Sequence, residues 1–331
     1  FHIYYAISSS VYTSLFLHFC PFIQGYFYIF VRLYKVCTLF MNHDIMMKNR
    51  LLARVLILRN ALKKEVLIMN NKPNNYILDF THVYCDEDMK NNSQFHWIDC
   101  SDINGCDLYC SDEAAAEIQK RIMPYGTKGI HFIDSGNFHY ITKITTDQIK
   151  QPFSLVVFDH HTDMQQPLVN EMMSCGDWAG LVLDQNPNLK QLILIGPDAT
   201  DISQIDVIRK DRLLTFSAEE LKNGTAQRKS TDILSGVPFY ISIDKDVLST
   251  RFTETNWNQG DMTLDMLEHL LGIILSRETI CGIDICGECQ PDLPLPEYMK
   301  AEEKNERINH ELADFIRSHI STYIPSASHS R

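Results

Sequence analysis

The stretch 153-FSLVVFDHHTD-163 joins an apolar run to a cluster of acids and histidines. An almost unbroken apolar run of this length is typical of a strand that is buried on both faces of a sheet. Asp159, His161 and Asp163 follow at alternating positions, and alternating residues of an extended strand point to the same side. The sequence therefore predicts a buried strand whose end presents two carboxylates and an imidazole together, with His160 facing away in a structural role.

Two other segments carry the same types of side chain. Asp244 and Asp246 follow the apolar run 239–243, and His139 ends the segment 135-SGNFH-139. Lys245 is expected to face away from its two neighbours and to pair with an acid on the opposite side. Taken with the first stretch, these segments offer four carboxylates and two imidazoles, which suit two hard divalent cations better than one ion. The alternatives are a salt-bridge cluster at strand–loop junctions and, for His139, an ordinary core histidine.

The rest of the chain after residue 70 alternates apolar runs with amphipathic stretches. This order predicts an α/β fold with a mainly parallel sheet covered by helices on both sides, and a site at the carboxyl ends of its strands. The predicted strands are Tyr76–Phe80, Gly129–Ile133, Phe153–Phe158, Gln191–Gly196, Arg212–Phe216, Phe239–Ile243 and Ile280–Ile285. The predicted helices are Ser111–Ile122 with Ser111 as its N-cap, Ser217–Asn223, Thr263–Arg277 and Glu302–His319.

Composition narrows the class of partner and the compartment. The net charge of −12, from 42 acids and 30 bases, argues against nucleic acid or an anionic membrane surface as a partner. Ten cysteines are present, and several lie in or beside apolar strand candidates, where free thiols act as small hydrophobes. Cys286 and Cys289 have the spacing of a redox pair or half a zinc site, but a reduced structural pair is expected. A cytoplasmic location follows as the simplest interpretation.

Residues 1–68 differ in character from residues 69–331. The first acid is Asp44 and the first methionine is Met41, while the stretch 11–31 is long and apolar enough to cross a membrane. Three interpretations compete: upstream sequence that is not natively translated, a membrane anchor, or a signal segment. We expect residues 1–68 to lie outside the folded domain, which comprises residues 69–331.

The three acidic segments together resemble the ureohydrolase superfamily of arginase, agmatinase and formimidoylglutamase. In that superfamily a histidine at a Gly-rich strand end, an Asp-x-His-x-Asp motif and a Ser-x-Asp-x-Asp motif bind two manganese ions. The matching residues in this chain occur in the same order, and the resemblance covers about residues 76–320: His139; Asp159, His161 and Asp163; Ser242, Asp244 and Asp246. The fold that it implies is the three-layer α/β/α architecture of arginases and deacetylases.

The resemblance also implies a role for each residue. Asp159 and Asp244 would bridge the two Mn²⁺ ions, whose shared water would attack the carbon of a guanidino or formimino substrate. His139 and Asp163 would complete one ion, and His161 and Asp246 the other. Asp163 would also accept a proton, and Glu288 would orient the cationic head of the substrate. A homo-oligomer is a further option that the resemblance leaves open.

The sequence departs from the arginine-specific part of the pattern. Residues 164-MQQP-167 lack the asparagine that arginases use, and no histidine occurs from Thr162 to Asp211 to act as proton shuttle. We therefore expect a ureohydrolase-type hydrolase that acts on C–N bonds of linear amidines. The exact substrate stays open, and a compound other than arginine is one option. The alternatives are a zinc deacetylase, which carries Gly where Asp163 stands, and an inactive metal-binding scaffold or regulatory protein of the same fold.

Overall fold

The computed structural model describes residues 74–84, 94–167 and 172–320, in which strands and helices alternate along much of the chain. The strands are β1 Asn75–Asp79, β2 Phe95–Asp99, β3 Tyr109–Cys110, β4 Ile130–Ile133, β5 Phe153–Phe158, β6 Met173–Ser174, β7 Leu189–Ile195, β8 Leu213–Phe216, β9 Phe239–Asp244 and β10 Ile280–Cys286. The α-helices are α1 Asp112–Ile122, α2 Ile141–Thr146, α3 Trp178–Gln185, α4 Ala199–Ser203, α5 Ala218–Lys222, α6 Leu264–Arg277 and α7 Leu295–Ile320.

Eight of these strands form one sheet in the order β2-β1-β4-β10-β9-β5-β7-β8. Every neighbouring pair in it is parallel, whereas β3 and β6 form a separate antiparallel pair. The four central strands β4, β10, β9 and β5 are adjacent although they are far apart in sequence. Their carboxyl ends therefore meet at one edge of the sheet, which is where open parallel sheets bind ligands.

Helices cover both faces of the sheet. Apolar side chains of α1, α2 and α3 pack in one core cluster, and those of α6 and α7 pack in a second cluster on the other side. In α6 the buried residues Leu264, Leu267, Leu271 and Leu275 recur at helical spacing, which gives the helix one apolar face. The prediction of a three-layer α/β/α fold with a mainly parallel sheet is confirmed.

All seven predicted strands are present, with ends shifted by a few residues. The predicted N-cap of α1 is also confirmed, since the Ser111 side chain accepts a hydrogen bond from the Ala114 amide at 3.2 Å. Helix α7 begins at Leu295 and not at Glu302. Pro296 is compatible with this start because it lies in the first turn, where no amide hydrogen is required. Strands β2, β3 and β6 and helices α2, α3 and α4 were not predicted.

The expectation for residues 1–68 lies outside the described residues. Within the described ranges, none of the helices is long and apolar enough to cross a membrane. The seven described cysteines are all free thiols. Cys286 and Cys289 lie in different core clusters, so their spacing does not bring them together as a pair.

Candidate metal centre

The sequence-predicted residues gather at the carboxyl ends of the central strands. Asp159 follows β5 directly, Asp244 is the last residue of β9, and Asp246 lies in the one-turn 3₁₀ helix Lys245–Val247. His139 comes from the segment after β4, where the 3₁₀ helix Gly136–Phe138 leads into it. His139 and Asp246 are 107 positions apart in the sequence. They converge on one point because β4, β10, β9 and β5 are neighbours in the sheet.

The convergence after β5 has a different local cause from the one that strand alternation predicts. The strand ends at Phe158, and the following residues form a turn in which Asp163 has a positive φ of 49°. The amide of His161 donates to Asp159 Oδ1 at 2.5 Å, and the Asp163 carbonyl accepts from the amide of Ala179 at 3.0 Å. Hydrogen bonds across a turn, and not a period of two, therefore aim these side chains at the site.

One half of the site is centred on His139. Its Nδ1 lies 3.2 Å from Asp159 Oδ2, 3.0 Å from Asp163 Oδ2 and 3.6 Å from Asp244 Oδ2. None of these contacts has hydrogen-bond geometry, so both His139 Nδ1 and Asp159 Oδ2 are buried polar atoms without a hydrogen-bond partner. Buried polar atoms normally have hydrogen-bond partners. A cation bound between His139 Nδ1 and Asp159 Oδ2 would provide the missing partner for both atoms.

The other half of the site is centred on His161. Its Nδ1 lies 2.8 Å from Asp246 Oδ2 and 3.6 Å from Asp159 Oδ1. Asp159 thus presents one oxygen to each histidine, and it belongs to two of the groups of ligand atoms that could hold an ion, His139-Asp159-Asp163 and Asp159-His161-Asp246. These donors are imidazole nitrogens and carboxylate oxygens, which suit divalent metals, so the residues present fit the dinuclear metal that the sequence implies.

A chain of buried hydroxyl groups fixes the ring of His139. Its Nε2 lies 2.9 Å from Ser242 Oγ, which lies 3.0 Å from Thr142 Oγ1, and that hydroxyl donates to Asp284 Oδ2 at 3.0 Å. Metal-ligating histidines commonly use the second ring nitrogen in this way, which fixes the tautomer and the ring orientation. Of the groups that hold His139 in this way, only Ser242 could be recognised in the sequence, as the serine of the Ser-x-Asp-x-Asp motif. No sequence pattern pointed to Thr142 or Asp284.

The structure gives Glu288 a different partner from the substrate head that the sequence implied. Glu288 is buried, and its Oε1 accepts hydrogen bonds from Lys245 Nζ and from Asn309 Nδ2. The expectation that Lys245 faces away from Asp244 and Asp246 and pairs with an acid is therefore met by Glu288 itself. The residue that approaches the site is Gly287, where an added Cβ would lie 2.4 Å from Asp244 Oδ1. With its positive φ of 92°, Gly287 turns the chain so that the following carboxylate points away.

We expect Gly287→Ala to destabilise the protein by more than its backbone conformation alone requires. A left-handed non-glycine residue costs about 1–2 kcal/mol, and crowding against Asp244 adds about 1–3 kcal/mol. Gly236 is the matched control, because its φ of 88° is similar and an added Cβ meets nothing within 4 Å. Urea unfolding of the two alanine variants checks this difference. Equal losses for the two variants would show that Gly287 does not crowd Asp244.

A cleft of about 280 Å³ gives solvent access to the centre. Besides Asp159, His161, Asp163, Asp244 and Asp246, it is lined by Gln165, Gln166, Cys175 and Trp257, among others. The Trp257 indole donates to Asn137 Oδ1 at 3.0 Å, and its ring is edge-on to His161 at 6.0 Å. Trp178 lies beneath the cleft and donates to Asp163 Oδ2 at 2.6 Å. Neither tryptophan was predicted, since nothing in the local sequence distinguishes them from core residues.

Without metal, the shifted pKa values of two groups in this site determine whether stability rises or falls with pH. Burial and the neighbouring carboxylate of Asp246 raise the pKa of Asp244 from 3.8 to about 7. Burial lowers the pKa of His161, but hydrogen bonds to Asp159 and Asp246 outweigh it and raise that pKa from 6.5 to about 12. Both pKa values are raised on folding, so the stabilising contribution of each group is present at low pH and is lost as the pH rises through the folded value.

We therefore expect the metal-free wild type to lose unfolding free energy relative to Asp244→Asn as the pH rises from about 5 to 7, because asparagine cannot titrate. Added metal should reverse the trend, since ligands bind metal in their deprotonated forms. Urea unfolding with a chelator, and then with Mn²⁺, measures both trends. A difference between wild type and variant that stays flat over this range would contradict the prediction.

Comparison with known proteins places the chain in a family. The family model for the arginase family matches residues 78–297. A Thermotoga maritima protein of uncharacterised function is 31% identical over 257 residues, which are 78% of this chain and 95% of that protein. Among solved structures, formimidoylglutamase from Bacillus subtilis has a TM-score of 0.52 and 14% identity over 77% of this chain and 88% of that one. Arginase from Bacillus subtilis has a TM-score of 0.52 and 11% identity over 76% of this chain and 100% of that one. At these identities the likeness to the solved structures concerns the fold alone. The family match and the T. maritima relative each cover most of the chain. The chain therefore belongs to the arginase family.

Proposed function

We propose that the chain is a ureohydrolase-type hydrolase that cleaves a C–N bond of a linear amidine, a guanidino or formimino compound, with two divalent ions. The observation that carries the proposal is the position of Asp159, whose two oxygens face the two histidine-centred groups. A carboxylate shared in this way suits a pair of ions. His139 and Asp163 would hold one ion, His161 and Asp246 the other, and Asp159 and Asp244 both. Manganese is the ion that the family resemblance implies.

When bound, the two ions supply Lewis acidity, which lowers the pKa of water and polarises the carbon that is attacked. The chain's own residues supply orientation and proton transfer. The Asp163 carboxylate lies at the base of the cleft, where the Trp178 indole holds one of its oxygens. That position suits it to take a proton from the attacking water and to deliver it to the leaving nitrogen.

The cleft walls suit a small, flat head group. Trp257 presents an indole at the mouth with 41% of its surface exposed, and a tryptophan face attracts planar cations such as guanidinium. Gln165 and Gln166 offer neutral amides to the rest of the substrate. Because the Glu288 carboxylate is already bound by Lys245, we propose that Trp257 and the acidic centre orient the head group in place of Glu288.

The test uses the full chain, stripped of metal and reloaded with Mn²⁺. Metal content is measured by mass spectrometry, and release of urea, ammonia or formamide is measured with arginine, agmatine, formimidoylglutamate and other guanidino and formimino compounds. About two ions per chain with release from one compound would support the proposal. Two ions with no release from any compound would favour the inactive metal-binding scaffold, and fewer than one ion per chain would overturn the dinuclear centre.

A further inference from the structure

A sulfur atom lies beside the His139 half of the centre. Cys286 is the last residue of β10, is 1% exposed, and pairs in register with Asp244 on β9. Its Sγ donates a hydrogen bond to Asp244 Oδ2 at 3.2 Å, and an ion bound between the two atoms would replace the thiol proton. Cys286, His139 and Asp244 form a third group whose ligand atoms could hold a metal ion, in addition to the two groups of nitrogen and oxygen donors.

The spacing of these atoms is that of neighbouring ligands of one ion. With metal–sulfur and metal–oxygen bonds of about 2.3 and 2.1 Å, two ligands of one ion are separated by roughly 3.1 Å at a right angle and 3.6 Å at the tetrahedral angle. The Sγ to Oδ2 distance of 3.2 Å lies within that range. Independently of the cysteine, His139 Nδ1 is buried and has no hydrogen-bond partner, so a nitrogen donor is aimed into the same space.

We propose that Cys286 is a thiolate ligand of the ion held by His139, and that this half of the centre selects a softer divalent ion such as Zn²⁺ or Co²⁺ over Mn²⁺. This inference rests on the proposed dinuclear site and refines it. Thiolates favour zinc and related ions, whereas carboxylates and waters suit manganese. The His161 half offers nitrogen and oxygen donors, so the two halves would differ in metal preference. The thiol proton leaves to solvent when the metal–sulfur bond forms.

Cobalt reports on sulfur ligation directly. The metal-stripped full chain is titrated with Co²⁺, and the near-ultraviolet charge-transfer band from thiolate to cobalt is recorded. The same samples are then exposed to equal Zn²⁺ and Mn²⁺, and the bound ratio is measured by mass spectrometry. We expect the band in the wild type, its loss in Cys286→Ser, and a fall of at least about tenfold in the zinc to manganese ratio of that variant.

Two control variants isolate Cys286. Cys281 lies on the same strand and in the same core cluster, and its Sγ donates to the Phe239 carbonyl at 3.3 Å, so Cys281→Ser should keep the band. Cys175 lines the cleft and is the other described thiol beside the centre, so Cys175→Ser tests it as the source of sulfur. If Cys286→Ser fails to fold, the wild type and Cys175→Ser still decide the proposal, because a band that is absent from the wild type or lost in Cys175→Ser overturns it, and a band kept in both Cys175→Ser and Cys281→Ser supports it.

The outcomes separate this inference from the proposed function. Co²⁺ bound without a charge-transfer band would overturn the role of Cys286 and leave the dinuclear centre standing. A band that disappears in Cys175→Ser but persists in Cys286→Ser would also overturn it, because the sulfur would come from the cleft wall. If no Co²⁺, Zn²⁺ or Mn²⁺ binds, both the thiolate ligand and the dinuclear centre are wrong.

Discussion

Asp163→Asn is expected to slow C–N hydrolysis by about 10²- to 10⁴-fold, which is the usual contribution of a positioned acid–base group. The carboxylate lines the cleft, and its Oδ2 lies 3.0 Å from His139 Nδ1. Asparagine has the same shape but cannot take up the proton. The fold should persist, because the amide oxygen can still accept from Trp178 and because asparagine tolerates the positive φ of 49° found at this position.

The measurement is the release rate for whichever compound the wild type cleaves, with metal content determined on the same samples. Metal content distinguishes a lost proton acceptor from a lost ligand. Asp177→Asn is the matched control, since Asp177 is also buried and accepts a hydrogen bond from the Ser174 amide at 2.8 Å, outside the groups that could hold an ion. A variant at Asp163 with an unchanged rate would remove this residue from the proposed chemistry.

The central strands could be predicted because burial on both faces leaves a simple pattern. Strands such as β5 and β9 are buried throughout and appear in the sequence as nearly unbroken apolar runs. Strand β2 lies at the edge of the sheet, and its five side chains are a mixture of buried, half-buried and exposed positions without strict alternation. Such a short mixture of histidine, tryptophan and acid resembles a loop, so a single sequence gave no sufficient signal for it.

The candidate centre was predictable in its residues but not in its detail. Motif spacing and order identified the six histidines and aspartates, and the sheet order then brings them together. The position of Glu288 depended instead on one backbone angle, the positive φ of Gly287. The glycine before that acid was the available signal, and it indicates a turn without saying which way the next side chain points. The sequence pattern alone assigns Cys286 to packing. Its proximity to Asp244 arises from pairing between β10 and β9, which the sequence alone does not show.

Lys245→Met is expected to lower the unfolding free energy by about 3–5 kcal/mol, because it leaves a buried carboxylate without its counter-charge. The side chain of Lys245 is fully buried, and its Nζ donates to Glu288 Oε1 and, at 2.8 Å, to Asn309 Oδ1. Asn309 belongs to α7, so the three side chains join the segments after β9 and β10 to that helix. Lys120→Met is the control, since Lys120 is 77% exposed in its pair with Glu117 and should change stability by less than about 1 kcal/mol.

The double variant Lys245→Met, Glu288→Leu decides between two roles for Glu288. If its carboxylate serves only the buried pair, removing both charges should recover most of the stability that the single variant loses, as replacement of buried ion pairs by apolar side chains often does. The double variant should then keep the wild-type KM. If Glu288 instead holds the substrate, as the family pattern implied, Glu288→Gln would raise KM strongly with little loss in urea unfolding. The contacts of Glu288 with Lys245 and Asn309 favour the first result, because the orienting carboxylate would otherwise have to give up a buried lysine to meet a substrate.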